Sequence, residues 1–385
     1  MSALAELRLA LSDTVERITA ERSAAYPTVE RLRLADIDRL WDEELPASWR
    51  TAGFVQELTA AAADLLEKDA RRSLELAQLA QAVSTSIPSQ SYPPTVFAQL
   101  EGNAWKEIGT AHRYLSEFDA ALRAYDAAQR AFARSGALAH DVAIVELARA
   151  VVLSELRKHG EALALIEESA PVFGSFGDQR RLTQAALLKG MIHQRRGHLQ
   201  AARATYEEVL AARPDEDLHT IAATYQNLGR VCADLGDSPA AATALRRARD
   251  LFLGLEMPSE VTRSDWALAK LLLATGSFIK ALPMLRRVRA DFLMRQMPTE
   301  AGLAALDLAE ALIAMNRADE ARTIAGQALD EFRTARLNER AIFALAYLRD
   351  LLPATSEPAR AIQHVRCYLA QLQEEPARLF LPLEE

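Results

Sequence analysis

Between residues 104 and 128 the apolar, aromatic and small residues are Trp105, Ile108, Gly109, His112, Phe118, Ala121, Tyr125 and Ala128, at successive intervals of 3, 1, 3, 6, 3, 4 and 3. Two stripes with a period of about 3.6 residues meet there across a polar step, Ser116-Glu117, as expected for two helices folded back on each other. Gly109, Ala121 and Ala128 are small where the helices would touch, and the larger residues fill the gaps between them. A single hairpin cannot bury its own apolar face, so the pattern predicts further hairpins stacked beside it.

The rest of the chain supplies them. The small second-helix residue recurs as Ala121, Ala162, Ala202, Ala241, Ala281, Ala321 and Ala361, at intervals of 41, 40, 39, 40, 40 and 40. Five places before each stands a turn residue: Ser116, Arg157, Gly197, Gly236, Gly276, Asn316 and Ser356. Gly and Asn there suit a left-handed backbone at a helix end. Twelve places before each alanine, at the expected helix crossing, stand Gly109, Ala150, Gly190, Gly229, Ala269, Ala309 and Arg349. All but Arg349 are small, so the last hairpin is expected to be a loosened cap. Pro171, Pro214, Pro258 and Pro298 are assigned to loops after second helices, where proline ends a helix without harm.

Ahead of the array, residues 1–24 show an amphipathic helical pattern through Leu4, Leu7, Leu11, Val15 and Ile18. Tyr26-Pro27 is expected to break it, with Thr28 capping a second helix through Val29, Leu32, Leu34, Ile37 and Leu40. Residues 1–50 are therefore read as an N-terminal helical cap. Residues 51–101 hold a degenerate repeat, with Phe54, Leu58 and Ala62 before a turn at Lys68-Asp69 and Ser73, Leu74, Ala77 and Ala80 after it. The Ser/Pro-rich stretch 84–94, STSIPSQSYPP, reads as a long inter-repeat loop. The array proper is placed at 102–375, about seven repeats. Residues 376–385 form a tail whose Leu379, Phe380, Leu381 and Leu383 either fold back as a lid or dock elsewhere.

The series Trp105, Ile108-Gly109, His112, Ser116, Phe118, Ala121, Tyr125 and Ala128 resembles the tetratricopeptide repeat, whose pattern is W-x2-L-G-x2-Y, a small turn residue, an aromatic, and A-x3-F/Y-x2-A. A period near 40, in place of the family's ~34, calls for longer helices or longer loops. Similar long-period arrays occur in kinesin light chains and in peptide-pheromone receptors of Gram-positive bacteria. The resemblance implies an all-α, right-handed superhelical solenoid of antiparallel helix pairs, with first helices lining a concave groove. It places Asn103, Lys106, Glu107, Thr110 and Arg113 on that groove in the first full repeat, Gln184 and Gln194 in the third, and Gln226, Asn227 and Arg230 in the fourth. Arg263, Trp266 and Lys270 follow in the fifth, and Asp307 and Glu310 in the sixth. Such amide and charged groups suit an extended peptide, whose backbone needs partners and whose side chains need charge complements. The carboxylate clamp of one family subset is incomplete. Asn227 fits it, but Leu187 and Met191 stand where Lys and Asn belong, and Ala267 replaces a basic residue.

Composition agrees with an array and narrows its partners. Hydrophobic residues are 50%, charged 25% and aromatic only 6%, with Ala and Leu dominant, which favours helix over sheet. The net charge of -8, of which residues 1–101 carry -6, argues against nucleic acid and anionic membrane. The N-terminus, with Glu6, Asp13 and Glu16, is not that of a secretory signal, and a cytoplasmic location follows by default. The high Ala, Leu and Arg content is of a bacterial kind. Cys232 and Cys367 are too few for a disulfide framework or a thiolate metal site.

No catalytic set has the right spacing: there is no GxGxxG, Walker loop, HExxH or GxSxG. His193 and His198 straddle Gly197, so no metal pair is expected; no cofactor is implied. Cys232 and His112 are read as packed core residues. The acidic run Asp42-Glu43-Glu44 is read as a solvated face. On the convex side, Glu167-Glu168 and Glu207-Glu208 precede Arg246-Arg247 and Arg286-Arg287. These bands are expected to form an inter-repeat salt-bridge ladder, with a bipolar surface for a partner or for self-association as the sharper reading. The leading expectation is a non-enzymatic interaction scaffold for a protein or peptide partner, encoded nearby in many such systems. The alternative is a regulatory sensor that gates a separate effector.

Overall fold

From Leu218 to Thr334 one module repeats: a helix of 17 residues, then a turn of three. The structure, a computed structural model, describes residues 3–35, 37, 44–136, 138–212, 217–334, 339–351, 357–374 and 378–383. Its helices within this stretch are α10 (Leu218–Asp234), α11 (Ser238–Gly254), α12 (Pro258–Ala274), α13 (Phe278–Met294), α14 (Pro298–Ala314) and α15 (Ala318–Thr334). Two such modules make the 40-residue alanine period. The helices, not the loops, carry the added length.

The turns show why the register holds. Ser116, Arg157, Gly197, Gly236, Gly276 and Asn316, the six described turn residues of the alanine ladder, all have positive φ, from 58° to 81°. The N–H of the following residue then reaches back to a carbonyl of the helix just ended, as Asp237 does to Cys232 at 2.8 Å. Ser356 lies outside the described residues. The inter-repeat turns use the same device at Gly136, Gly177, Glu256 and Gln296.

The chain divides into two compact units, Met1–Ile192 and His193–Glu385. In the first, α1 (Ala3–Leu32) leads to α2 (Ala52–Leu65) and α3 (Ala70–Ser86), then to the pairs α4 (Pro94–Tyr114) with α5 (Phe118–Ala133) and α6 (Ala139–Glu155) with α7 (His159–Ser175). The division falls within the last turn of helix α8 (Gln179–Arg195). The second unit holds α9 (Leu199–Ala211), the six helices above, α16 (Glu339–Leu351) and α17 (Pro358–Glu374). Every element among the described residues is helical or turn.

The longer second helices are pinned by a buried aromatic eleven places after the ladder alanine. Phe132, Phe173, Phe252, Phe292 and Phe332 are each at most 2% exposed. The ladder alanines themselves are fully buried. Residues 52–86 fold as α2 and α3, capped by Thr51, which accepts from Phe54 N at 3.2 Å, and Asp69, which accepts from Arg72 N at 2.9 Å.

Several expectations are corrected. Pro27 does not break the first helix: α1 runs through it. Pro27 and Ser23, whose carbonyl loses its partner, are both exposed, so that carbonyl is not left in the core. Arg72 closes the far end of α1, its guanidinium donating to the carbonyls of Leu32, Arg33 and Ala35. Leu34 is exposed and Ile37 buried outside any helix. Leu40, Trp41, Asp42 and Glu43 lie outside the described residues. Of the four loop prolines, Pro171 lies inside α7 on its exposed side, and Pro258 and Pro298 open α12 and α14, where no N–H is needed. Pro214 is outside the described residues.

The stretch 84–94 shortens to a seven-residue link, 87–93, because its first three residues finish α3 and Pro94 starts α4. Tyr92 anchors the link. Its hydroxyl accepts from Ala52 N at 3.0 Å and donates to Glu21 at 2.7 Å, and burial pushes its pKa up to about 12. The tail folds back on the terminal pair. Phe380 is buried among Tyr347, His364 and Tyr368, while Leu379 and Leu381 stay exposed. The salt-bridge ladder is not seen in the form expected. Arg286 pairs with Glu320 at 3.4 Å and Arg287 with Asp265 at 3.0 Å, and Glu207 pairs within its own helix with Arg203 at 2.8 Å.

Candidate functional site

In the first unit, α4, α6 and α8 line a cleft of about 390 Å³. Helix α4 contributes Lys106, Glu107, Thr110 and Arg113, spaced so that one helix face carries them all. Helix α6 contributes an apolar floor of Ile144, Leu147, Ala148 and Val151, and α8 adds Arg181, Gln184 and Leu188. The second-helix Tyr125 closes the base. It is fully buried, and its hydroxyl donates to Thr110 Oγ1 at 3.2 Å.

The charged groups are held in place. Lys106 Nζ lies 2.9 Å from Glu107 Oε1, and the Arg113 guanidinium stacks 4.6 Å from the Tyr114 ring centre. Asp178 caps α8 by accepting from Arg181 N at 3.0 Å and pairs with His140 at 2.8 Å. Burial opposes the charged form of Arg181 and lowers its pKa, against the attraction of Asp178. Three cations and one carboxylate face a single apolar floor. Asn103, half-buried on α4, is not among the lining residues.

In the second unit the groove-register residues are tied to protein partners. Gln194 accepts from the Tyr206 hydroxyl at 3.2 Å, and Gln226 donates to Ser264 at 3.2 Å. Asn227 is buried and accepts from Arg230. Arg263 joins Glu260 to Glu300, the latter at 3.0 Å. The Trp266 indole N–H donates to Asp307 Oδ2 at 2.6 Å, and the Lys270 ammonium sits 4.6 Å over the Trp266 ring. Asp307 is 3% exposed; burial raises its pKa, against the pull of Arg366 and Lys270.

The residues read as packed are packed. Cys232 is 2% exposed, and burial raises its thiol pKa. The His112 Nδ1 lies 2.6 Å from Glu117 Oε2. His193 and His198 approach within 6.2 Å between ring centres, and among the described residues no group of three or more metal-ligating side chains gathers. Among those residues no helix is long and apolar enough to cross a membrane.

A family model described as tetratricopeptide repeat matches residues 182–253. Residues 182–253 are thus tetratricopeptide repeat, and the helix pairs on either side follow the same pattern. No curated protein matches the chain. Among solved structures, a Rap protein complexed with competence and sporulation factor is similar at 15% identity and TM-score 0.56, over 94% of this chain and 99% of that one. A STAND protein with a tetratricopeptide repeat sensor from Pyrococcus horikoshii is similar at 13% identity and TM-score 0.59, over 92% of this chain and 53% of that one. Aspartyl phosphate phosphatase F from Bacillus subtilis is similar at 7% identity and TM-score 0.56, over 77% of this chain and 78% of that one. At such identities the likeness is one of fold, the all-α superhelical repeat class.

The motif register brings Lys106, Glu107, Thr110, Arg113 and Gln184 to one cleft. Arg181 was missed because it precedes the motif, although it shares a helix face with Gln184 and Leu188 at intervals of 3 and 4. The floor is legible in the sequence: Ile144, Leu147, Ala148 and Val151 are the second repeat's residues in the groove register. Their uniform apolarity was itself the signal.

Proposed function

We propose that the chain is a non-enzymatic scaffold or adaptor that holds a peptide or protein segment in the cleft of α4, α6 and α8. The cleft's composition carries this reading: Lys106, Arg113 and Arg181 rim an apolar floor, with Thr110 and Gln184 as neutral hydrogen-bonding groups. Such a surface suits an extended segment that presents carboxylates on either side of an apolar side chain. Asn103 and the second-unit residues Gln194, Gln226, Asn227, Arg230, Arg263, Trp266 and Lys270 are outside the cleft's lining and carry no part of this proposal. Selection from a random peptide library tests it. Acidic-apolar peptides should be enriched on the native chain and lost when Lys106, Arg113 and Arg181 are changed together to Glu. Equal enrichment by both chains would sink the cleft.

A second reading is a regulatory sensor that gates a separate effector in a bacterial cytoplasm, through a partner protein encoded nearby or a second copy of the chain. Its support is the fold shared with the Rap protein, whose complex contains competence and sporulation factor. A sensor should change its radius of gyration in solution scattering when a selected peptide binds; a rigid adaptor should not.

A further inference from the structure

The face of the repeat that lines an open cleft on α4 is covered on α14. Asp307 and Glu310 on α14 stand five periods after Glu107 and Thr110 on α4, which line the open cleft. In the second unit, α10, α12 and α14 form the row of first helices, each packed on the next. The helix that packs against α14 beyond them is α17, which the repeat order makes a second helix; α16 packs on α15 and α17.

Helix α17 is seated by one charged side chain in an otherwise apolar contact. The Arg366 Nη2 lies 2.7 Å from Asp307 Oδ1 and 2.8 Å from Glu310 Oε2. The other oxygen of Asp307 takes the Trp266 indole N–H from α12. Around this anchor Ile362, Val365, Tyr368, Leu369 and Leu372 are buried in the core that includes α14 and α15. The tail is tied to both helices of the last pair: the Tyr368 hydroxyl on α17 donates to Arg378 O at 2.9 Å, and the Leu383 N–H donates to the Tyr347 hydroxyl on α16 at 3.1 Å.

We infer that the groove-register face of α14 is a binding surface for an amphipathic helix carrying one arginine, and that α17 occupies it in cis. The selectivity follows from Asp307. Asp307 keeps the Trp266 N–H, but an apolar helix lacking the arginine withdraws the cation 2.7 Å from its other oxygen and seals the carboxylate under apolar side chains, which is costly. A partner helix with an arginine between Asp307 and Glu310 restores the pair and adds no other requirement than an apolar stripe. Tethering favours α17 over any free helix, since a tethered segment acts at roughly millimolar effective concentration. Weakening the anchor therefore has to precede or accompany exchange. No residue of this surface belongs to the cleft of α4, α6 and α8, so failure of either proposal leaves the other standing.

The test uses the full chain and a fluorescent peptide of residues 357–383. In Arg366→Ala, hydrogen exchange should quicken at least tenfold across 358–383 while α10 to α15 keep their protection. The peptide should then bind this variant at least tenfold more tightly than it binds the native chain. A peptide carrying Arg366→Glu should not bind. The milder Glu310→Gln, which retains Asp307, should give the same changes at smaller amplitude. Protection lost through α12 to α15 in both variants would make α17 an integral part of the fold and overturn the proposal. So would unchanged exchange in Arg366→Ala, equal binding of the two peptides, or a dimer by light scattering in which α17 is exchanged between copies.

Discussion

Gly102 faces Phe132 so closely that a Cβ on it would lie 2.3 Å from the ring, and Gly302 stands to Phe332 in the same way at 2.4 Å. The two pairs are five periods apart and mark one construction: the extended end of a second helix drives an aromatic ring into its own first helix. Gly102→Ala and Gly302→Ala should each destabilise the chain by about 1–3 kcal/mol through overpacking. Gly174 lies in α7 with nothing within 4 Å of an added Cβ, so Gly174→Ala should stabilise by roughly 0.5–1 kcal/mol. Chemical denaturation of the three variants checks the opposite signs.

The left-handed turns give a second contrast. Gly236 has φ of 81°, and Gly236→Ala should cost roughly 1–2 kcal/mol. Arg157 holds the equivalent position with φ of 61°, and Arg157→Gly should be neutral or stabilising by up to about 1 kcal/mol, because the strain of a side chain there is relieved. Thermal unfolding should rank the variants accordingly.

Tyr92 makes the N-terminal elements sensitive to alkali. Burial raises its pKa from 10.0 to about 12, with Glu21 adding to the rise and the Ala52 N–H opposing it. The folded state thus favours the neutral phenol. The stability it contributes is full below pH 10 and is lost as the pH climbs through about 12. Burial raises Tyr125 and Tyr206 too, so the absorbance titration is read as a difference: Tyr92→Phe should remove one tyrosine's worth of the change centred near that shifted midpoint. That variant should also lose about 1–3 kcal/mol, since the Ala52 N–H is left without its acceptor.

The two thiols should separate by rate. Cys367 is exposed on α17, whereas Cys232 is buried with its pKa raised by that burial. A disulfide reagent at mildly alkaline pH should titrate one thiol rapidly in the native chain and the second only after denaturant is added. Two rapid thiols would contradict the packing of α10.

Charge reversal of Arg181, the cleft cation outside the motif register, should weaken an acidic peptide about tenfold while leaving stability within about 1 kcal/mol. Raising salt should weaken the native interaction in the same direction. A peptide whose affinity ignores both changes is not held by the cationic rim.

The repeat itself was legible in the chain because small residues and turn residues recur at fixed intervals, and each interval answers to a local requirement. A helix crossing admits only a small residue at Gly109 and Gly229, and a tight turn needs left-handed backbone even where the residue is Ser116 or Arg157. Local rules also misled. Pro27 reads as a breaker, yet the surrounding contacts hold α1 together: Glu21 accepts from Gly53 N at 3.1 Å, Arg17 donates to Ser91 O at 2.6 Å, and Arg72 closes its end. None of these partners is near in sequence.

By itself, then, the chain determined an all-α array, its period, and which face of each first helix carries Lys106, Glu107, Thr110 and Arg113, since periodicity and backbone geometry are local properties. Tertiary structure decided which of those faces stay accessible. The rim gains Arg181 because α8 lies beside α6, and Asp307 is closed off because the apolar stripe of α17 finds its place against α14. That choice turns on competition between surfaces far apart in the chain, and no interval between residues records it.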